Sequence, residues 1–278
     1  MADATLQINS LLLKLDGAQI YYEVQGSGPV LLMIPGGPTD AGIFAALGAL
    51  LAENYTVVRY DPRGNSRSVL DGPPEDQDMD IHADDAARLL ETFGSGPAFV
   101  LGSSGGAQIG LNLAARYPQH VKALVAHEPP CVRLLPGERT TFIDDVYETY
   151  LSQGAGAAMQ KFMVGAGLDG PRTERTAPPS PEAIASFARI QGNVDFFLAH
   201  GLKPISRYVP DIDALLASPT TVIVGVGDAS PGTLPYRTAV ALAKYLDTTP
   251  VHFPGGHGGY NDDPVGFAEK LHEVLLDA

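Results

Sequence analysis

Cysteine is almost missing from this chain. Cys131 is the single thiol in 278 residues, which excludes an internal disulfide and any zinc site built from cysteines. A reducing compartment suits such a chain, and a cytoplasmic location is expected. Basic residues are also scarce, 18 Lys and Arg against 32 Asp and Glu, for a net charge of −14. That balance argues against nucleic acid or an anionic membrane as partner. It offers acidic substrates no long-range attraction, so a neutral, largely apolar small molecule is the expected substrate. Long apolar runs are absent too. None reaches the roughly 18–20 residues of a transmembrane helix, and the opening MADATLQINS has neither the basic n-region nor the apolar h-region of a signal peptide. The expected state is a monomer or a homodimer.

What the sequence does contain is alternation. LLLKLDGAQIYYEV reads as two strands around an Asp16-Gly17 hairpin turn. Short, nearly continuous apolar runs follow at 29–35, 55–60, 98–102, 121–126, 220–227 and 249–253, as suits strands buried on both faces of a parallel sheet. Between them lie helical patterns at 42–53, 82–93, 107–117, 235–246 and 263–276. Strand–helix alternation predicts a doubly wound α/β sheet. It breaks between 131 and 213, where helix-like pieces carry Phe142, Tyr147, Tyr150, Phe162, Met163, Phe187, Phe196 and Phe197 around a proline-rich loop at 171–182. The reading is a core of residues 1–130 and 214–278 with a helical cap, 131–213, inserted after the strand at 121–126. Most of the cap's aromatics would glue it to the core, and a few would line an apolar pocket.

Three segments carry chemistry. FVLGSSGGAQIG (99–110) runs strand, tight turn, helix, and Gly102-Ser103-Ser104-Gly105-Gly106 fits G-x-S-x-G with Ser104 at its centre. Centring it on Ser103 would need a glycine at Leu101. The following helix aims free N–H groups at the serine. Acyl transfer needs two backbone donors for the developing oxyanion. Gly105 supplies one, and Gly37, in the Gly36-Gly37-Pro38 loop after an earlier strand, is assigned the other. A general base should follow late in the chain, and His257 lies in the glycine-rich loop of VHFPGGHGGYNDDP (251–264), between the final strand and the final helix. Of the other six histidines, five read as surface or packing residues. His127 is discussed with the acid below.

Together these segments resemble the α/β-hydrolase superfamily across nearly the whole chain outside the cap. YDPRGNSRS (60–68) adds to the resemblance, with Asp61 and Arg63 read there as a structural turn and salt bridge. The resemblance implies the α/β-hydrolase fold, a mostly parallel sheet with an inserted helical cap. Within the superfamily GSSGGAQ, HEPP and PGGHGGY are similar to small esterases and lactone hydrolases that include the zearalenone hydrolases. The loop at Pro35-Gly36-Gly37-Pro38 lacks the His and the final Gly of the proline iminopeptidase H-G-G-P-G, which argues against a peptidase. A serine nucleophile argues against epoxide hydrolases and haloalkane dehalogenases of the same fold.

His257 needs a carboxylate partner, and two satisfy the order Ser…acid…His. Asp228 ends VIVGVGD at the commoner superfamily position. Glu128 ends the strand next after the nucleophile's, and if those strands pair, their ends lie about 4.8 Å apart. A carboxylate at a covered strand mouth is costly unless paired, and His257 is the available cation. The zearalenone hydrolase resemblance implies the same position, in a similar H-E-x-P context. The reading favours Glu128, with Asp228 the alternative and His127 a packing residue on the opposite face. The expected enzyme is a serine hydrolase of an ester or lactone, with no metal or organic cofactor. A cofactor-free perhydrolase and a ligand receptor on the same fold are the alternatives.

Overall fold

The Asp16-Gly17 turn joins β1 (Asn9–Leu15) to β2 (Ala18–Gly26), an antiparallel hairpin in register from Asn9↔Val24 to Leu15↔Ala18. The computed structural model describes residues 7–94, 96–137, 141–170 and 181–278. The apolar runs become β3 (Val30–Ile34), β4 (Thr56–Tyr60), β6 (Ala98–Ser103), β7 (Val121–His127), β8 (Thr221–Gly227) and β9 (Val251–Phe253). A two-residue strand, β5 (Val69–Leu70), pairs with β2. It is too short to leave a periodic signal. The sheet order is β1-β2-β4-β3-β6-β7-β8-β9, antiparallel from β1 to β4 and parallel from there on.

The helices are α1 (Ala45–Leu51), α2 (Met79–Glu91), α3 (Gly105–Arg116), α4 (Thr141–Gln153), α5 (Ala155–Ala166), α6 (Pro181–Phe196), α7 (Leu202–Arg207), α8 (Ile212–Ala217), α9 (Leu234–Tyr245), α10 (Gly259–Asp262) and α11 (Pro264–Leu276). Their starts follow local chemistry. Asp78 caps α2 by accepting from Asp80 N–H, Thr233 caps α9 from Tyr236 N–H, and Asp263 caps α11 from Gly266 N–H just before Pro264. The expected helix at 42–53 begins as a 3-10 turn, Ala41–Phe44, and becomes α1. Among the described residues no helix is long and apolar enough to cross a membrane.

Alternation along β3 builds two cores. Leu31 and Met33 face Leu47, Leu51, Phe267 and Leu271 on one side, and Leu32 and Ile34 face Ala86, Leu90, Leu111 and Leu124 on the other. These four of the five β3 residues are fully buried, as a strand covered on both faces requires. Between β7 and β8 the chain leaves the sheet for α4–α8. This insertion has its own small core of Ile143, Val146, Ala158, Val194, Phe197, Leu198 and Leu202. Its flanks belong to the body, since Cys131, Leu134 and Leu215 join the main core. Of the proline-rich stretch at 171–182, Pro181 and Glu182 open α6 and the rest lies outside the described residues.

Strand order decides where a site can form. From β3 the chain crosses to β4 on one side and returns to β6 on the other, so the order reverses between β3 and β6. The crevice beyond the carboxyl ends at such a switch point is where open α/β sheets bind ligands. Ile34 and Gly102 are register partners there, so the loops after them emerge side by side.

Two histidines are buried without charge. His82 on α2 bonds Gln77 Oε1 through Nε2 at 2.9 Å. His127 packs edge-on against Phe253, Tyr260 and Phe267, and among the described residues neither of its ring nitrogens has a hydrogen-bond partner. Burial pushes both down to about 4. The unfolded chain titrates them near 6.5. It therefore binds protons that the native state refuses, and stability is lost as pH falls from about 6.5 to 4, by up to about 3 kcal/mol per histidine. His127→Leu should flatten that loss by one histidine's share. Urea midpoints measured across this range test it, and an unchanged slope would refute the assignment.

Candidate active site

Ser104 stands between β6 and α3 with φ 55° and ψ −125°, a conformation that side chains rarely adopt. Hydrogen bonds hold it there. Its N–H donates to His127 O at 2.9 Å, and its carbonyl accepts from Ala107 N–H at 2.9 Å. The close approach of α3 to the sheet requires glycine at 106, because a Cβ there would lie 2.0 Å from Ile34 O. No side chain caps α3 at Ser104, so the first-turn N–H groups stay directed at the space above the serine. The neighbouring Ser103 is buried.

The loop after β3 lies directly against this turn. A Cβ on Gly105 would sit 3.4 Å from the Gly37 nitrogen, so the two backbone donors are neighbours. Gly37 has φ +57°, open to glycine at little cost. Its N–H shares a peptide plane with the Gly36 carbonyl and points the opposite way. That carbonyl accepts from Thr39 Oγ1 at 2.6 Å and Thr39 N–H at 3.3 Å. Thr39 therefore fixes the direction of the Gly37 N–H. A narrow cleft lined by Gly37, Gly105, Met79, Ile109, Ile205 and His82 runs beside the two donors.

Glu128 is the first residue beyond β7 and has no exposed surface. It too is left-handed, at φ 49°. Its N–H donates to Gly225 O at 3.0 Å. One carboxylate oxygen, Oε1, accepts from Gly227 N–H at 2.9 Å, and the other, Oε2, lies 2.6 Å from His257 Nδ1. Burial alone would raise this carboxyl, but the His257 bond and charge, with the Gly227 N–H, hold it below its ordinary value. An ionised carboxylate only accepts, so Nδ1 carries a proton, and in the neutral form of the ring Nε2 is the nitrogen left with a lone pair. The backing of His257 is His127, whose ring lies nearly parallel to it at 6.4 Å. Asp228, the alternative acid, is elsewhere. It is more than half exposed and bonds His252 Nδ1 at 2.9 Å. Among the described residues it makes neither the His257 contact nor a bond to the insertion.

Asp61 and Arg63 do not pair with each other. Asp61 is fully buried and holds Arg67 Nε at 2.8 Å and Ala41 N–H at 3.0 Å, while Arg63 holds Asp85 at 2.7 Å. The supporting polar groups around the Gly37 loop, Thr39, Asp40, Asn65 and Ser66, were not foreseen. Asn65 Nδ2 donates to Gly37 O at 3.2 Å and Thr39 O at 3.0 Å. Only the sequence neighbourhood of DPRGNS could have hinted at them.

Comparison with known proteins fits this geometry. Residues 29–162 match the family model for the alpha/beta hydrolase fold. The uncharacterized hydrolase YraK of Bacillus subtilis (strain 168) is 37% identical, with 97% of each chain covered. A zearalenone hydrolase of Cladophialophora bantiana is 32% identical over 127 residues, 45% of this chain and 48% of that protein. A thermophilic esterase from Thermogutta terrifontis superposes with a TM-score of 0.74 over 98% of both chains, at 21% identity, a likeness of fold.

The strain at residue 104 has a measurable side. Ser104→Gly relieves the left-handed conformation and should raise unfolding stability by about 1 kcal/mol, the strain relief exceeding the added chain entropy. Chemical denaturation measures it. A destabilised variant would mean the backbone there is not strained.

Proposed function

The chain belongs to the alpha/beta-hydrolase superfamily, and as a hydrolase of that superfamily, we propose, it cleaves a carboxylic ester or lactone of a neutral, largely apolar small molecule through an acyl-enzyme on Ser104. The observation that carries this reading is the 2.6 Å bond from His257 to a fully buried Glu128. A buried carboxylate needs a cation or donors, and this one orients an imidazole whose free nitrogen can serve as base. The strained Ser104 turn and the adjacent Gly37 and Gly105 donors support it. The net charge of −14 and the aromatic insertion support a neutral, apolar substrate.

The proposed steps are those of acyl transfer. Ser104 Oγ attacks the carbonyl carbon as His257 Nε2 takes its proton. The carbonyl π pair moves to oxygen, and the Gly37 and Gly105 N–H groups hold the oxyanion. Collapse expels the alkoxy oxygen, which takes the proton from His257. Water, deprotonated by the same nitrogen, then attacks the acyl-enzyme, and collapse expels Ser104 Oγ, which takes the proton back from His257 as the acid is released. Glu128 stays ionised and stabilises the imidazolium. In a lactone both products remain one hydroxy acid. Within residues 131–213, helices α4–α7 act as the cap over this site.

A fluorophosphonate probe followed by a panel of p-nitrophenyl esters and macrolactones tests the reading. Ser104 should be the labelled residue. Ser104→Ala should lower kcat by at least about 10⁴-fold, with Ser103→Ala retaining most activity. Wild-type turnover by Ser104→Ala would overturn the proposal, and labelling without turnover of any ester or lactone would point to a ligand receptor instead.

The acid makes a separate prediction. Glu128→Gln should lower kcat by about 10³–10⁴-fold with little change in KM, because an amide cannot stabilise the imidazolium. Asp228→Asn should remain within about twofold of wild type. The opposite ranking, read from steady-state kinetics, would reassign the acid.

A further inference from the structure

We propose that Arg189 and Asn193, on the inserted helix α6, are positioning residues for the oxyanion hole. The inference rests on the serine-hydrolase reading. The loop that carries the Gly37 donor, residues 36–40, belongs to no helix or strand, so its shape depends on side-chain contacts. Beyond the loop's own Thr39, those contacts come from two sources. The body contributes Asn65 and Ser66. The insertion contributes Ser186, Arg189 and Asn193, spaced three and four apart and therefore on one face of α6.

The bonds converge on both ends of the loop. Asn193 Nδ2 donates to Pro38 O at 2.9 Å, on the residue next to Gly37, and to Ser66 Oγ at 2.8 Å. Asn193 Oδ1 accepts from Ser66 N–H at 2.7 Å, which holds Ser66 in its left-handed turn at φ 50°. Asp40 closes the loop and is fully buried. Its Oδ2 accepts from Arg189 Nε at 2.6 Å and from Ser66 Oγ at 2.9 Å. Its Oδ1 accepts from Ser186 Oγ at 3.2 Å and from Gly42 N–H at 2.9 Å. Burial alone would raise this carboxyl, yet Arg189 and the other donors hold it below its ordinary value. Immediately beyond this face, Phe197 reaches the Gly37 backbone: a Cβ on Gly37 would lie 4.0 Å from its ring.

Asp40 is a buried charge whose guanidinium partner lies in the insertion. With α6 unseated, that charge loses its cation and the Pro38 carbonyl loses its donor. Loop 36–40 then keeps its Thr39 and Asn65 bonds but loses the α6 anchors at Pro38 and Asp40 that hold the Gly37 turn in place. Oxyanion stabilisation is steeply geometric, so the donor is fully formed only while α6 is docked. The seating of the insertion thereby enters kcat as well as substrate binding.

The test is steady-state kinetics on a p-nitrophenyl ester together with inhibition by a trifluoromethyl ketone, whose serine adduct carries the oxyanion. Asn193→Ala and Arg189→Gln should lower kcat about tenfold to a hundredfold with KM changed less than about twofold, and weaken the ketone by the same factor. Arg189→Lys, which keeps a cation beside Asp40, should recover part of the loss. Should Arg189→Gln fail to fold, Asn193→Ala carries the comparison. Lys161→Met is the control. It removes bonds to Thr149 Oγ1 and Asp145 O within the insertion and touches nothing in loop 36–40, so kcat should be unchanged. Wild-type kcat and ketone affinity in the α6 variants would overturn this inference alone, as would an equal loss in the Lys161→Met control. A wild-type chain that neither labels at Ser104 nor turns over an ester or lactone would remove the hydrolase chemistry and this inference with it.

Discussion

A carboxylate out of reach of water must be neutralised where it stands, and at Glu128 that requirement organises the end of the sheet. Its backbone is turned into the left-handed region as the chain leaves β7. Its N–H is tied to Gly225 O, and its two oxygens are divided between Gly227 N–H and His257. The partners therefore come from the mouth of β8 and from the loop beyond β9. Each depends on parallel register, His127 opposite Gly225 and Gly227 opposite Phe253. A slip by one residue would turn every side chain to the other face and leave the charge uncompensated. Pro129 and Pro130 follow at once, limiting how the departing chain can swing.

The same residue pair divides the strand's two faces between polar and apolar work. Glu128 meets His257 on the site side, while His127 sits among Phe253, Tyr260 and Phe267. The His127 carbonyl takes the Ser104 N–H, so the backbone between the two residues links the serine turn to the carboxylate. Geometry around Ser104 is thus carried by main-chain bonds between adjacent strands, which tolerate little drift.

Legibility in the sequence tracked locality. The parallel strands and the serine turn were readable because apolar runs and glycine spacing express nearest-neighbour constraints. Ser104, His257, Gly37 and Gly105 could be singled out from such spacing, and the structure brings Gly37 beside Gly105 and His257 to Glu128. Choosing between Glu128 and Asp228 needed strand adjacency, which pattern alone does not encode. The partners of Asp61 and Arg63, Arg67 for the one and Asp85 on α2 for the other, could not be read from the local sequence, because ion pairing depends on where the turn and the helix meet. The α6 contacts to Asp40 and Pro38 span 146 to 155 residues. Ser, Arg and Asn on an amphipathic helix are ordinary surface choices, so nothing marked them. β5 and α10, of two and four residues, are shorter than any period that would reveal them.

The Arg189–Asp40 pair has a consequence for chimeras. Grafting a foreign insertion between β7 and β8 looks simple, since both junctions lie at strand ends and the insertion has a core of its own. Yet the body would keep Asp40, a carboxylate with no exposed surface, and any transplanted helix lacking a guanidinium at this height would leave it stranded. Breaking a buried pair by removing one partner costs about 3–5 kcal/mol, a sizeable share of a typical domain's stability. Recombination at these junctions is therefore filtered by a single charge, and swapped helices succeed only when they bring the matching cation with them.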